Sequence, residues 1–223
     1  MRRIALYGLS ADPPTGHGGH VGIVQALVDS KFDEVHILPV YRHTYPDKRQ
    51  RLVSFEHRWN MCQLAFADLS PKVVVSDAEY QSWRRAVAGL SEEQASQVSV
   101  GTAALMEYYQ SLDNNSSAEY YFCLGADAFL DLLAGKWKES QRVLDLLQGR
   151  FVVFHRHSAD IAMLQDKVQQ MPGAQLLEVE SLTDVSSSQV RQCSDESKLS
   201  QMVTPSVLDY IKEHKLYQFD DTR

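Results

Sequence analysis

The chain has 223 residues, 44% of them hydrophobic and 23% charged, with a formal net charge of −7. That length and apolar content suit one compact α/β domain with a real core. The acidic balance argues against a protein that coats nucleic acid, which needs a basic surface, and no apolar run approaches the ~20 residues needed to span a bilayer.

Taken in chain order, the pattern alternates strand and helix. Only about six apolar residues follow Met1-Arg2-Arg3, too few for a secretion signal, so Ile4 to Leu9 is predicted as a buried strand. Val21 to Val28 reads as a helix and Val35 to Val40 as a second strand. Phe55 to Leu69 has helical spacing, and Lys72 to Ser76 is a short third strand. A polar loop is expected around Tyr80 to Ala88. Val100 to Leu112 reads as a helix, Tyr120 to Gly125 as a strand, and Leu130 to Leu147 as helix with a break at Gly135. Phe151 to His155 is a strand, Ile161 to Met171 a helix, and Leu176 to Val179 a last strand. Helices near Ser187 to Cys193 and Pro205 to His214 close the chain. This alternation predicts a doubly wound, Rossmann-like parallel sheet with helices on both faces and a helical C-terminal extension. Ligands of such sheets bind beyond the carboxyl ends of the strands. Cys62, Cys123 and Cys193 lack metal-ligand spacing and form no even framework, which fits a reduced, cytoplasmic setting.

Two segments at opposite ends carry phosphate chemistry. Gly8-Leu9-Ser10 and the run through Thr15, His17 and His20 follow the first strand and open a helix. Glycines there let backbone N–H groups approach an anion, and the histidines can donate to phosphate. Val185 to Arg191 places Ser186, Ser187, Ser188 and Arg191 at another helix start. Two common phosphate motifs are absent. There is no G-x-x-x-x-G-K-[ST], and the G-x-G-x-x-G spacing that would begin at Gly16 meets Val21. What remains is His17-Gly18-Gly19-His20 at a strand-to-helix turn. Histidines three apart there would share a face, and helix dipole and imidazole N–H groups would together hold a triphosphate.

With these segments the chain resembles the nucleotidyltransferase superfamily that carries a [H/T]-x-G-H motif. Within it, the likeness is to the bacterial-type nicotinate and nicotinamide mononucleotide adenylyltransferases. Leu38-Pro39-Val40 with His43, Tyr45 and Lys48 resembles that family's phosphate loop. Ser54 to Arg58 with Met61 resembles the following helix. Leu124-Gly125-Ala126-Asp127 and then Trp137 resemble its central strand end, and Val185 to Arg191 its I-S-S-T-x-I-R signature. Val203-Thr204-Pro205 through Leu216-Tyr217 resembles its closing helix. One departure stands out: the first motif is longer by two residues, so either Thr15 or His17 takes its first position.

The resemblance implies one nucleotidyltransferase domain over 1–223, with 185–223 as its helical C-terminal part. It implies adenylyl transfer from ATP to nicotinate mononucleotide. His17, His20, Lys48 and Arg191 would do the chemistry. Gly8, Leu9, Ser10, Thr15, Gly125, Asp127, Arg156 and Ser186 to Ser188 would bind ATP. Thr102 and Trp137 would hold the mononucleotide. Mg²⁺ would arrive with ATP, with no metal held by the chain itself, and a homo-oligomer fits the same reading. Trp137 also suits a core position, Asp127 a helix cap, and Lys48 a solvated loop. Alternatives are transfer to nicotinamide mononucleotide, a pantetheine-phosphate adenylyltransferase, and nucleotide binding without turnover. A class I aminoacyl-tRNA synthetase fragment would need the basic RNA surface that this chain lacks.

Overall fold

The run Ile4-Ala5-Leu6-Tyr7 is buried at every position, the mark of a strand covered on both faces. Side chains alternate across it. Ala5, Tyr7 and Leu9 join one apolar cluster, while Ile4 and Leu6 join the other, as the two-residue period of a strand requires. The computed structural model describes residues 1–69, 71–112, 118–155 and 161–219.

Among the described residues, six strands form one sheet: β1 (Arg2–Leu9), β2 (Glu34–Pro39), β3 (Val73–Val75), β4 (Ala118–Gly125), β5 (Phe151–Phe154) and β6 (Gln175–Leu177). The order is β3-β2-β1-β4-β5-β6, and every pairing is parallel. The expected doubly wound sheet is therefore observed. The helices, in chain order, are α1 (His20–Asp29), α2 (Pro46–Arg51), α3 (Phe55–Phe66), α4 (Ala78–Ala86), α5 (Glu92–Gln97), α6 (Thr102–Leu112), α7 (Ala126–Leu133), α8 (Ser140–Leu147), α9 (Ile161–Gln169), α10 (Ser187–Gln192), α11 (Glu196–Met202) and α12 (Pro205–Glu213). A short 3₁₀ turn, Tyr217–Phe219, follows.

One face of the sheet is covered by α1, α3 and the C-terminal helices, which contribute Val21, Met61, Val190 and Ile211 to a common core. The other face is covered by α6 to α9, through Leu105, Phe129, Leu147 and Leu164. No helix among the described residues is long and apolar enough to cross a membrane.

Two differences from expectation have local causes. The segment expected as a polar loop is α4. Ser82 of α4 bonds the Ala104 carbonyl of α6 at 3.4 Å, and Tyr80 and Trp83 pack on Tyr41, so tertiary contacts bury one face of a polar sequence. The short helices α2, α5 and α11 were not expected. Pro46 starts α2, Ser91 and Gln94 form a capping box on α5, and Asp195 caps α11. The expected break at Gly135 is observed: with φ +73° it lies between α7 and α8.

The strand order reverses between β1 and β4. A crevice opens there beyond the strand ends, and the first sequence segment emerges into it.

Candidate active site

A cavity of about 760 Å³ occupies that crevice. Gly8, Leu9 and Ser10 at the end of β1 and Gly125 at the end of β4 form its floor. A Cβ on Gly8 would sit 3.4 Å from the Phe122 ring, and one on Gly125 would sit 3.4 Å from the Phe154 ring. A side chain at either position would thus lie against the ring, in contact but without a clash.

The loop from Ala11 to Gly19 is packed down rather than splayed. Ala11 has φ +55° and the Asp12–Pro13 peptide is cis. Thr15 is fully buried and anchors His20, the first residue of α1. The Thr15 N–H donates to His20 Nδ1 at 2.9 Å, and the Thr15 hydroxyl lies 2.8 Å from the same nitrogen. The His20 N–H in turn donates to the Thr15 hydroxyl oxygen at 3.0 Å. A main-chain N–H can only donate, so Nδ1 is the unprotonated nitrogen of the neutral ring and Nε2 carries the hydrogen. Close packing requires the neighbouring glycines. A Cβ on Gly19 would fall 2.1 Å from the Thr15 hydroxyl, and one on Gly22 would fall 2.0 Å from the His17 carbonyl.

The two sequence-distant segments meet here. Ser187 Oγ donates to the Pro13 carbonyl at 2.8 Å, and Arg191 Nη1 donates to the Asp12 carbonyl at 2.5 Å. Arg191 also holds the Ser188 hydroxyl at 3.0 Å. Ser186 is the N-cap of α10, in a capping box with Gln189. Ser186, Ser187, Ser188 and Arg191 all line the cavity. The first loop is held from behind by Gly16 N–H to the Met202 carbonyl at 2.8 Å and by Thr183 N–H to the Gly18 carbonyl at 2.9 Å.

His17 does not reach the site. It is exposed and absent from the cavity lining, because the loop turns its carbonyl inward to accept from Ser181 at 3.2 Å. Asp127 is also exposed, in the first turn of α7, and does not line the cavity. There an acid complements the helix dipole, but the N-cap of α7 is Gly125 and no side chain caps it, so Asp127 is not the cap. Arg156 lies outside the described residues. Lys48 lines the cavity from α2. Its neighbour His43, also in the lining, has its pKa lowered to about 4, by burial first and then by Lys48, Arg58 and Arg49. Lys48, Arg49 and Arg58 thus bring several cations to this corner of a chain whose net charge is −7. At the other end of the cavity are Thr102, the first residue of α6, and Trp137. Trp137 meets Phe122 edge-on, with ring centroids 6.3 Å apart. It therefore serves core and cavity together.

Three important residues were not singled out from sequence. Arg58, 2% exposed, donates to four main-chain carbonyls: Val53 at 3.1 Å, Ser10 at 2.9 Å, Val40 at 2.6 Å and Tyr41 at 3.3 Å. It ties the loop after β1 to the loop after β2. Asp12, 1% exposed, accepts from the Tyr217 hydroxyl at 2.8 Å and pairs with Arg191 at 3.5 Å. Burial raises its carboxyl pKa, against the opposing pull of Tyr217 and Arg191. Glu79 is a buried acid in the cavity wall.

A cytidylyltransferase-like family model matches residues 7–193. A protein of Roseiflexus sp. named "Probable nicotinate-nucleotide adenylyltransferase" is 30% identical over 96% of this chain and 98% of its own length. One of Oceanobacillus iheyensis with the same name is 28% identical over 98% of each. Among solved structures, a Plasmodium falciparum nicotinic acid mononucleotide adenylyltransferase complexed with NaAD superimposes with a TM-score of 0.73 at 22% identity, covering 99% of both chains. That likeness speaks for the fold. The family match and the full-length relatives carry the assignment further: the chain belongs to the cytidylyltransferase-like nucleotidyltransferases, in the nicotinate-nucleotide adenylyltransferase family.

Proposed function

We propose that this chain transfers the adenylyl group of ATP to nicotinate mononucleotide, releasing pyrophosphate and nicotinate adenine dinucleotide. One observation carries the reading: the Thr15–His20 contact and the Ser187–Arg191 segment converge on one crevice at the reversal of strand order. An oxygen of the mononucleotide 5′-phosphate attacks the α-phosphorus in line. The new P–O bond forms as the bond to the β-phosphate oxygen breaks, and pyrophosphate leaves with that electron pair. No covalent enzyme intermediate is required, so the residues need only position two anions and stabilise charge.

His20 donates from Nε2–H to an α-phosphate oxygen, where charge develops. Thr15 fills the first motif position as the group that orients it. Arg191, Ser187, Ser188 and Lys48 hold the β- and γ-phosphates, with Arg suited to paired contacts. Gly8, Leu9, Ser10 and Gly125 admit the adenosine to the crevice floor, with Ser186 closing it. Trp137 supplies a face for the pyridine ring, and the Thr102 N–H meets its carboxylate. His17 and Asp127 have no part in this scheme, given their positions. Among the described residues, no group of three or more His, Cys, Asp or Glu side chains could hold a metal ion. Mg²⁺ would arrive with the triphosphate, with phosphate oxygens and water as ligands, and would neutralise phosphate charge.

The test is pyrophosphate release and dinucleotide formation with Mg²⁺-ATP and nicotinate mononucleotide, in the parent and in His20→Ala. The parent should turn over, and the variant should lose about 10²-fold or more in rate while unfolding at a similar temperature. Absence of turnover in the parent, or indifference to the substitution, would refute the reading.

A further inference from the structure

We propose that the Lys138 ammonium group selects an anionic substituent on the pyridine ring. This deepens the reading above and rests on it.

Lys138 follows Trp137 and crosses back over the start of α6. A Cβ built on Gly101 would lie 3.6 Å from Lys138 Cδ and within 3.9 Å of its Cβ and Cγ. The stem therefore runs along the bare glycine, and Nζ donates to the Ser99 carbonyl at 3.2 Å. Gly101, Thr102, Trp137 and Lys138 all line the same end of the cavity. The first return bond of α6 is Leu105 N–H to the Gly101 carbonyl, at 3.2 Å. The amides of Thr102, Ala103 and Ala104 precede it and lack an intrahelical acceptor. A ring lying on Trp137 would thus carry its substituent toward an ammonium group and a helix start together.

The charge of Lys138 is not cancelled locally. Nearby Lys136 pairs with Asp131 at 2.7 Å, and Arg142 pairs with Glu107. Lys138 has only a neutral carbonyl as its recorded partner and makes no ion pair among the described residues. Asp131 also lines the cavity but is committed to Lys136. Glu79 lines it too, and burial raises its carboxyl pKa, which favours the neutral form. A carboxylate substituent gains a charge-assisted hydrogen bond here that a carboxamide does not. Gly101 is part of the device, since a side chain there would crowd the lysine stem.

The experiment compares kcat/KM for nicotinate and nicotinamide mononucleotide in the parent, Lys138→Gln and Lys138→Arg. The residue is exposed, so the fold should tolerate both changes. The parent should favour the acid. Lys138→Gln should lower the acid-to-amide ratio by about tenfold, mainly through KM for the acid. Lys138→Arg should restore part of it, and added salt should shrink the parent's preference. Equal losses for both substrates would mean that Lys138 serves their shared 5′-phosphate, and would overturn the proposal. An unchanged ratio, or a parent that does not favour the acid, would overturn it as well while leaving adenylyl transfer standing. Turnover of neither substrate would remove the functional reading itself, and this inference with it.

Discussion

Glu79→Gln tests how the cavity wall tolerates a buried acid. Glu79 is 8% exposed, and its Oε2 has no hydrogen-bond partner among the described residues. Burial raises its pKa from 4.5 to about 8, although the Tyr41 N–H and the Arg58 charge pull the other way. The folded chain then keeps a proton that the unfolded chain has released. Between 4.5 and about 8 the unfolded state binds fewer protons, so stability falls as pH rises through that window. Each pH unit of the difference corresponds to about 1.4 kcal/mol, giving a loss on the order of 5 kcal/mol by pH 8. Glutamine retains an acceptor for the Tyr41 N–H and cannot ionise. The variant should match the parent within about 1 kcal/mol at pH 5 and exceed it by several kcal/mol at pH 9. Urea unfolding at pH 5, 7 and 9 measures both. A difference that stays flat with pH would refute the reasoning. A parent that gains on the variant at high pH would show that Arg58 keeps Glu79 ionised.

Two further substitutions probe how the site is held. Thr15→Val keeps the shape but removes the oxygen that meets His20 Nδ1 at 2.8 Å and accepts the His20 N–H at 3.0 Å. Its kcat should fall about 10- to 100-fold, because a catalytic group loses its orientation, while stability drops by only about 1 kcal/mol; an unchanged kcat in steady-state pyrophosphate release would deny Thr15 an orienting role. Arg58→Met leaves four part-buried carbonyls without their donor and should cost about 3–5 kcal/mol in urea unfolding, and a loss under about 1 kcal/mol would show that the two loops hold their positions without it.

The parts of this fold that were legible in sequence are those set by burial alone. Strands flanked by helices on both faces read as continuous apolar runs, as β1 and β5 do, whereas the edge strands β3 and β6 are only partly buried. The helix α4 was not legible because its own residues are largely polar; it forms where Tyr80 and Trp83 meet Tyr41, a contact between residues about 40 apart. The short helices α5 and α11 carry local signals that could have been read: Ser91 with Gln94, and Asp195 ahead of Glu196.

The site divides in the same way. The floor and the Ser187–Arg191 wall follow from motif position. The choice between Thr15 and His17 does not, because histidines three apart share a face only within a helix, and α1 begins at His20. What decides between them is long-range: Met202, Thr183 and Ser181 bind the loop carbonyls and amide so that His17 faces out. Arg58 was within reach of sequence reasoning. The buried stripe of α3 is Arg58, Met61, Cys62 and Ala65, the i, i+3, i+4, i+7 spacing of a core-facing helix. An arginine on that stripe must enter the core, and a buried guanidinium must find acceptors. Here the acceptors are main-chain carbonyls of the loops after β1 and β2 and of Val53, with the buried acids Asp12 and Glu79 adding charge from other elements. In a parallel sheet the strand ends are where ligands bind, so a charged residue in a core-facing helical stripe here marks the support of a binding site.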